Sequence, residues 1–90
     1  MMLTIKNPQI IIGQKYNDVF DIIGVKEHTH CYEFTLGYAS LGPRKVETIL
    51  LHRKQTQNGM YIMEYNSKTL WLSKSEFDTP EKIIICMQTI

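Results

Sequence analysis

The chain has 90 residues, 43% of them hydrophobic and 21% charged, with a formal net charge of +1. A chain of this length carries apolar material for one core and not for two, so residues 1–90 read as a single globular domain that buries roughly 60–68% of its unfolded surface. The composition excludes a disordered polyelectrolyte, and the near-neutral balance excludes a protein that coats nucleic acid through net charge alone.

The longest apolar runs, Ile10–Ile12, Ile49–Leu51 and Ile83–Met87, fall far short of the roughly 18 residues needed to cross a bilayer. The first residues lack the basic segment, apolar stretch and cleavage site of a secretory signal, which predicts a cytoplasmic protein. In that reducing compartment Cys31 and Cys86 are expected as free thiols.

In chain order, Leu3–Lys6 predicts a short strand stopped at Asn7-Pro8, and Ile10–Ile12 predicts a second extended run before Gly13. From Val19 to Val25, Phe20 and Ile22 alternate with Val19, Asp21 and Ile23 in the two-residue period of a strand. The alternation is cleaner from His30 to Leu36. Tyr32, Phe34 and Leu36 share one face there, with Cys31, Glu33 and Thr35 on the other, so these two segments are expected to pair antiparallel.

The stretch from Gly42 to Gly59 fits two periods. A helix over residues 43–57 would begin at Pro43, with Val46, Ile49 and Leu50 along one stripe. A strand over Val46–Arg53 would instead fold back onto Met60–Tyr65 through a loop ending in Asn58-Gly59. The strand is the preferred reading, because Val46, Thr48 and Ile49 carry β-favouring side chains.

Met60–Asn66 and Thr69–Ser73 predict a further hairpin with Leu70 and Leu72 pointing inward. Trp71 is expected on the opposite face, beside Tyr61 or Tyr65. At the C-terminal end Thr79-Pro80-Glu81 is a helix-start signal, but the β-type run Ile83–Cys86 favours a strand. The fold class expected is mostly β, a small antiparallel meander or SH3-like barrel. The alternative is an α+β fold with the helix over residues 43–57.

No nucleophile elbow, phosphate-cradling glycine loop, dinucleotide fingerprint or His-Glu-x-x-His helix occurs, and the five glycines are scattered singly. Asp18 with Asp21, and Glu76 with Asp78, sit in polar turns where solvated charge is the ordinary explanation. No enzyme and no cofactor is expected. His28 and His30 would share one face of a strand next to Cys31, but zinc needs about four convergent ligands and no metal-ligand spacing completes the set. A cysteine–histidine pair drawn from Cys31, Cys86, His28, His30 and His52 is present in composition only, with nothing in the spacing to orient it.

The charge is unevenly placed. Residues 41–60 hold Arg44, Lys45, Arg53 and Lys54 against Glu47 alone, whereas the flanking segments are slightly acidic. With Tyr61, Tyr65 and Trp71 following, these cations define the candidate binding surface. The leading expectation is a non-catalytic protein-interaction module, for instance an accessory or inhibitor protein that docks a partner through a β edge or through the aromatics. A homodimer is compatible with a core this small. The alternative is a nucleic-acid-binding β module that uses the basic block with the same aromatics.

Overall fold

The computed structural model describes residues 2–38, 45–74 and 79–89. Its elements are a short 3-10 helix (Pro8–Ile11), five strands and a helix: β1 (Phe20–Glu27), β2 (Cys31–Tyr38), β3 (Lys45–His52), β4 (Tyr61–Tyr65), β5 (Lys68–Leu72) and α1 (Pro80–Thr89). The strands form one antiparallel sheet in the order β1-β2-β3-β4-β5. This is the predicted meander, laid out as an open sheet with β1 and β5 at its margins.

Alternation explains most of the sheet. Tyr32, Phe34 and Leu36 on β2, with Ile49 and Leu51 on β3, are wholly buried, and Met63 on β4 joins them. Cross-strand pairing of Phe34 with Ile49, Tyr32 with Leu51, and Leu51 with Met63 puts all of them on one inner face. Residues 45–52 are therefore a strand, not part of the alternative helix over 43–57. Gly59, at φ +76°, supplies the left-handed residue of the turn that leads to β4.

β1 departs from strict alternation. The register slips between Ile22, opposite Leu36, and Gly24, opposite Thr35, so Ile23 is an extra residue. This bulge resets the parity, and Ile22 and Val25 both contribute to the inner face. At the other margin, Tyr65 pairs with Lys68 around Asn66 and Ser67, which both have positive φ, at 52° and 66°. That geometry is the tight turn whose twist matches a hairpin.

The layer over the inner face differs from expectation at both ends of the chain. Leu3–Lys6 and Ile10–Ile12 do not form strands. Met2 makes a single bridge to Lys54, and the Leu3 N–H donates to the Arg53 carbonyl at 2.7 Å. Asn7 then turns the chain at φ 52°, Pro8 opens the 3-10 helix, and Ile11 drops fully into the core.

Ile83–Cys86 is helical, where a strand is the sequence expectation. Thr79 caps the helix, its carbonyl and Oγ1 accepting from the Ile83 and Lys82 N–H groups at 3.3 and 3.4 Å, and Pro80 fills the first position. Ile83, Ile84, Cys86 and Met87 are buried while Ile85 is 60% exposed, a helical period that lays one stripe on the sheet. Packing overrides the strand preference of the isoleucines. Two polar contacts pin this layer in place: the Tyr16 hydroxyl donates to the Met87 carbonyl at 3.0 Å, and Gln88 Nε2 donates to the Tyr16 carbonyl at 3.0 Å.

Among the described residues no helix is long and apolar enough to cross a membrane. The outer face of the sheet carries no covering layer among them. Replacement of Ser67 by glycine should relieve a left-handed conformation that costs an ordinary residue about 1–2 kcal/mol, less the entropy glycine adds to the unfolded chain. A gain of roughly 0.5–1 kcal/mol in urea denaturation is expected, and a loss would show that Ser67 makes a compensating contact.

Candidate functional site

The predicted binding residues do not form one surface. Arg44 lies outside the described residues, as does the side chain of Lys45, whose backbone opens β3. Arg53 follows β3 and turns its guanidinium inward. Nε donates to the Leu3 carbonyl at 2.8 Å and Nη1 to the His28 carbonyl at 2.7 Å. The same group sits 5.1 Å above the centre of the Tyr32 ring and 3.9 Å from Glu27 Oε2, with its side chain only 13% exposed. Its backbone N–H meanwhile donates to the His30 carbonyl at 2.9 Å. Arg53 thus ties the N-terminal segment and the β1–β2 turn to the end of β3. Of the basic pair, Lys54 is the one left exposed.

The aromatics divide between the two faces. Tyr61 pairs with Leu72 and Tyr65 with Lys68, whereas Trp71 pairs with Ile62. Tyr61 is therefore buried on the inner face at 4% exposure, while Trp71 stands on the outer face at 53%. Leu70 and Leu72 point inward as expected, but the expectation that Trp71 has Tyr61 or Tyr65 beside it does not hold. The turn at Asn66-Ser67 sets a register in which both tyrosines share the parity of the leucines.

On the inner side, Tyr65 packs edge-on against Tyr16 with ring centres 6.2 Å apart. Burial, then the hydrogen bond and charge of Glu47 and the neighbouring Tyr16, push the Tyr65 phenol up to about 12. Burial and Glu47 raise Tyr16 as well. In Tyr32, burial is the largest cause of a raised value and the Glu27 carboxylate adds to it, against the lowering influence of the Ile5 N–H, which donates to its oxygen at 2.9 Å, and of Arg53.

Two rows of side chains cross the outer face. One runs from Lys26 through Glu33 and Leu50 to Glu64 and Thr69. The next holds Cys31 opposite His52, and continues to Ile62 opposite Trp71. His28 Nε2 lies 3.0 Å from Glu33 Oε1, and His52 Nε2 lies 2.6 Å from Glu64 Oε2. Each imidazole is thus engaged by a carboxylate on the sheet. Among the described residues, no three His, Cys, Asp or Glu side chains converge as metal ligands would.

A hollow of about 340 Å³ lies where β3 runs past the tip of the β4–β5 hairpin, between Thr48 and Leu50 on one side and Glu64 to Thr69 on the other. It is open to solvent and lined by apolar as well as polar groups. His52–Glu64 is the contact that sequence reading missed; its signal is the parity of β3 and β4, readable once the β3–β4 register is known.

Comparison of the chain with protein-family models finds no match, and neither curated proteins nor solved structures give one. The functional reading therefore comes from the residues and their geometry.

Two expectations follow from these placements. Arg53→Met removes two charge-assisted hydrogen bonds and should cost roughly 2–4 kcal/mol, whereas Lys54→Met should stay within about 0.5 kcal/mol. Equal effects in urea denaturation would contradict the inward role of Arg53. The Tyr65 phenol keeps its proton in the folded chain after an unfolded chain, at the ordinary 10.0, has released it. Its contribution to stability is complete below pH 10.0 and is lost as pH rises towards about 12. Tyr65→Phe should flatten the fall of the urea midpoint across that window, and an unaltered slope would remove the assignment.

Proposed function

We propose that the chain is a non-catalytic protein-interaction module that docks a protein partner on the uncovered face of its sheet, beside the β5 edge. The observation that carries this reading is Trp71, the one tryptophan, left 53% exposed on a marginal strand. Burying half of a tryptophan's surface in a partner is worth more than burying any other side chain of this face, and aromatic anchors of this kind dominate protein interfaces. Ile62 and Leu50, both half-buried, extend the apolar ground around it.

The two margins of the sheet support the choice of side. At β1 the Gly13 N–H donates to the Ile22 carbonyl at 2.7 Å and the Ile22 N–H to the Gln14 carbonyl at 2.9 Å, so the chain itself occupies much of that edge. A bulge at Ile23 twists the remainder. β5 carries neither device among the described residues, and its backbone suits the addition of an extended segment from a partner. An accessory or inhibitor protein of the cytoplasm, acting as a monomer or a homodimer, is the form this proposal takes. Cys31 and Cys86 form no disulfide, which accords with a reducing compartment.

Affinity capture from native lysate, with and without nuclease, compares the wild type with Trp71→Ala and Lys54→Glu. The proposal expects a stoichiometric, nuclease-resistant protein whose recovery falls at least ~10-fold with Trp71→Ala and little with Lys54→Glu. Recovery that collapses on nuclease treatment, or that follows Lys54 and not Trp71, would transfer the function to nucleic-acid binding.

A further inference from the structure

The uncovered face sets a thiol, an imidazole and a carboxylate next to one another on three consecutive strands. Cys31 opens β2 directly opposite His52, the last residue of β3. Residues opposed in this way hold their Cβ atoms about 4.5–5.5 Å apart on one face. His52 in turn lies 2.6 Å through Nε2 from Glu64 Oε2 on β4.

A carboxylate can only accept, so in the neutral imidazole Nε2 carries the hydrogen and Nδ1 presents its lone pair. Nδ1 is also the ring nitrogen nearer the backbone. The tautomer imposed by Glu64 therefore leaves Nδ1 as the acceptor of the ring.

The surroundings of Cys31 differ from those of the second cysteine. Cys31 is a free, partly exposed thiol, whereas Cys86 is buried in the stripe that α1 lays on the sheet. The backbone around Cys31 is fixed by the β1–β2 turn: the His28 N–H donates to the Cys31 carbonyl at 2.8 Å, and the Arg53 N–H donates to the carbonyl of His30 at 2.9 Å. A partly exposed thiol is within reach of a small molecule from solution, as the buried one is not.

We propose that Cys31 is a site of thiol–disulfide exchange with low-molecular-weight disulfides, in which His52 takes the thiol proton and Glu64 positions His52. As the Cys31 sulfur attacks one sulfur of the disulfide, its proton passes to His52 Nδ1. The new S–S bond forms as the old one breaks, and the departing thiolate recovers the proton. The products are a mixed disulfide on Cys31 and one free thiol, so the disulfide is the sole oxidant and no further reactant is needed. This exchange stands apart from partner docking, since it needs only the sheet and a small molecule.

Glutathione disulfide offered to the folded protein at pH 7 tests the proposal. Adducts are located by peptide mass spectrometry and timed against the same protein unfolded in urea, which supplies the rate of an ordinary thiol. The expected result is modification of Cys31 in preference to Cys86, at least ~10-fold faster than Cys31 in the unfolded chain, with His52→Gln returning it to or below that reference. Glu64→Gln should lower the rate by a smaller factor, and Glu64→Asp should recover part of it, which loss of packing alone would not produce. A folded-state rate at or below the unfolded reference, or one that His52→Gln leaves unchanged while circular dichroism shows the fold intact, overturns the proposal. If His52→Gln does not fold, His52→Asn is judged by the same comparison.

Discussion

The inner face of the sheet has to be kept from water, and most of what lies outside the strands serves that end. Tyr32, Phe34, Leu36, Ile49, Leu51 and Met63 together present an apolar surface that five short strands cannot cover by themselves. Cover comes from two directions. Leu3, Ile5 and Ile11 arrive from the N-terminal segment, and Ile83, Ile84, Cys86 and Met87 arrive on α1. The polar ties between the layers, Tyr16 to Met87, Gln88 to Tyr16 and Ile5 to Tyr32, satisfy backbone groups that packing would otherwise strand in the core. No buried side-chain polar atom among the described residues is left without a partner.

The parts of this arrangement that were legible in the sequence are those in which a single period runs without interruption. β2 and the β4–β5 hairpin could be read from alternation and turn residues, and β-branched side chains favoured the strand at 45–52. The bulge in β1 was not legible, because an extra residue changes parity without changing composition. The Ile-Ile-Ile-Cys run of α1 has no readable period, and its helical state follows from the Thr79 cap and from the sheet that needs covering. The candidate site suffered from the same limit. Arg53 looks like a surface cation until the carbonyls of Leu3 and His28 converge on it, and Tyr61 looks like a neighbour of Trp71 until the two-residue turn fixes which face each occupies.

The outer face combines two kinds of chemistry. Toward β5 it is aromatic and apolar, with Trp71 and Ile62. Toward β2 it is a band of imidazoles, carboxylates and one thiol, in which Glu33 and Glu64 engage His28 and His52. The acidic groups are distributed among the basic ones, so the face offers little continuous positive potential to a phosphate backbone. Arg53 reinforces this, since the charge most central to the basic block is held against a tyrosine ring and two carbonyls. On the proposed reading, the partner meets this surface through shape and apolar contact.

The position of α1 along the chain has a consequence for how the domain is made. The meander joins each strand to the next, so the strands can pair in the order in which they leave the ribosome. Their shared inner surface stays without its helical cover until residues 80–89 follow. During that interval a nascent chain displays the sheet's greasy side, the kind of surface on which chaperones act and from which misassembly begins. A sequence order that placed α1 ahead of the strands would shorten the exposure.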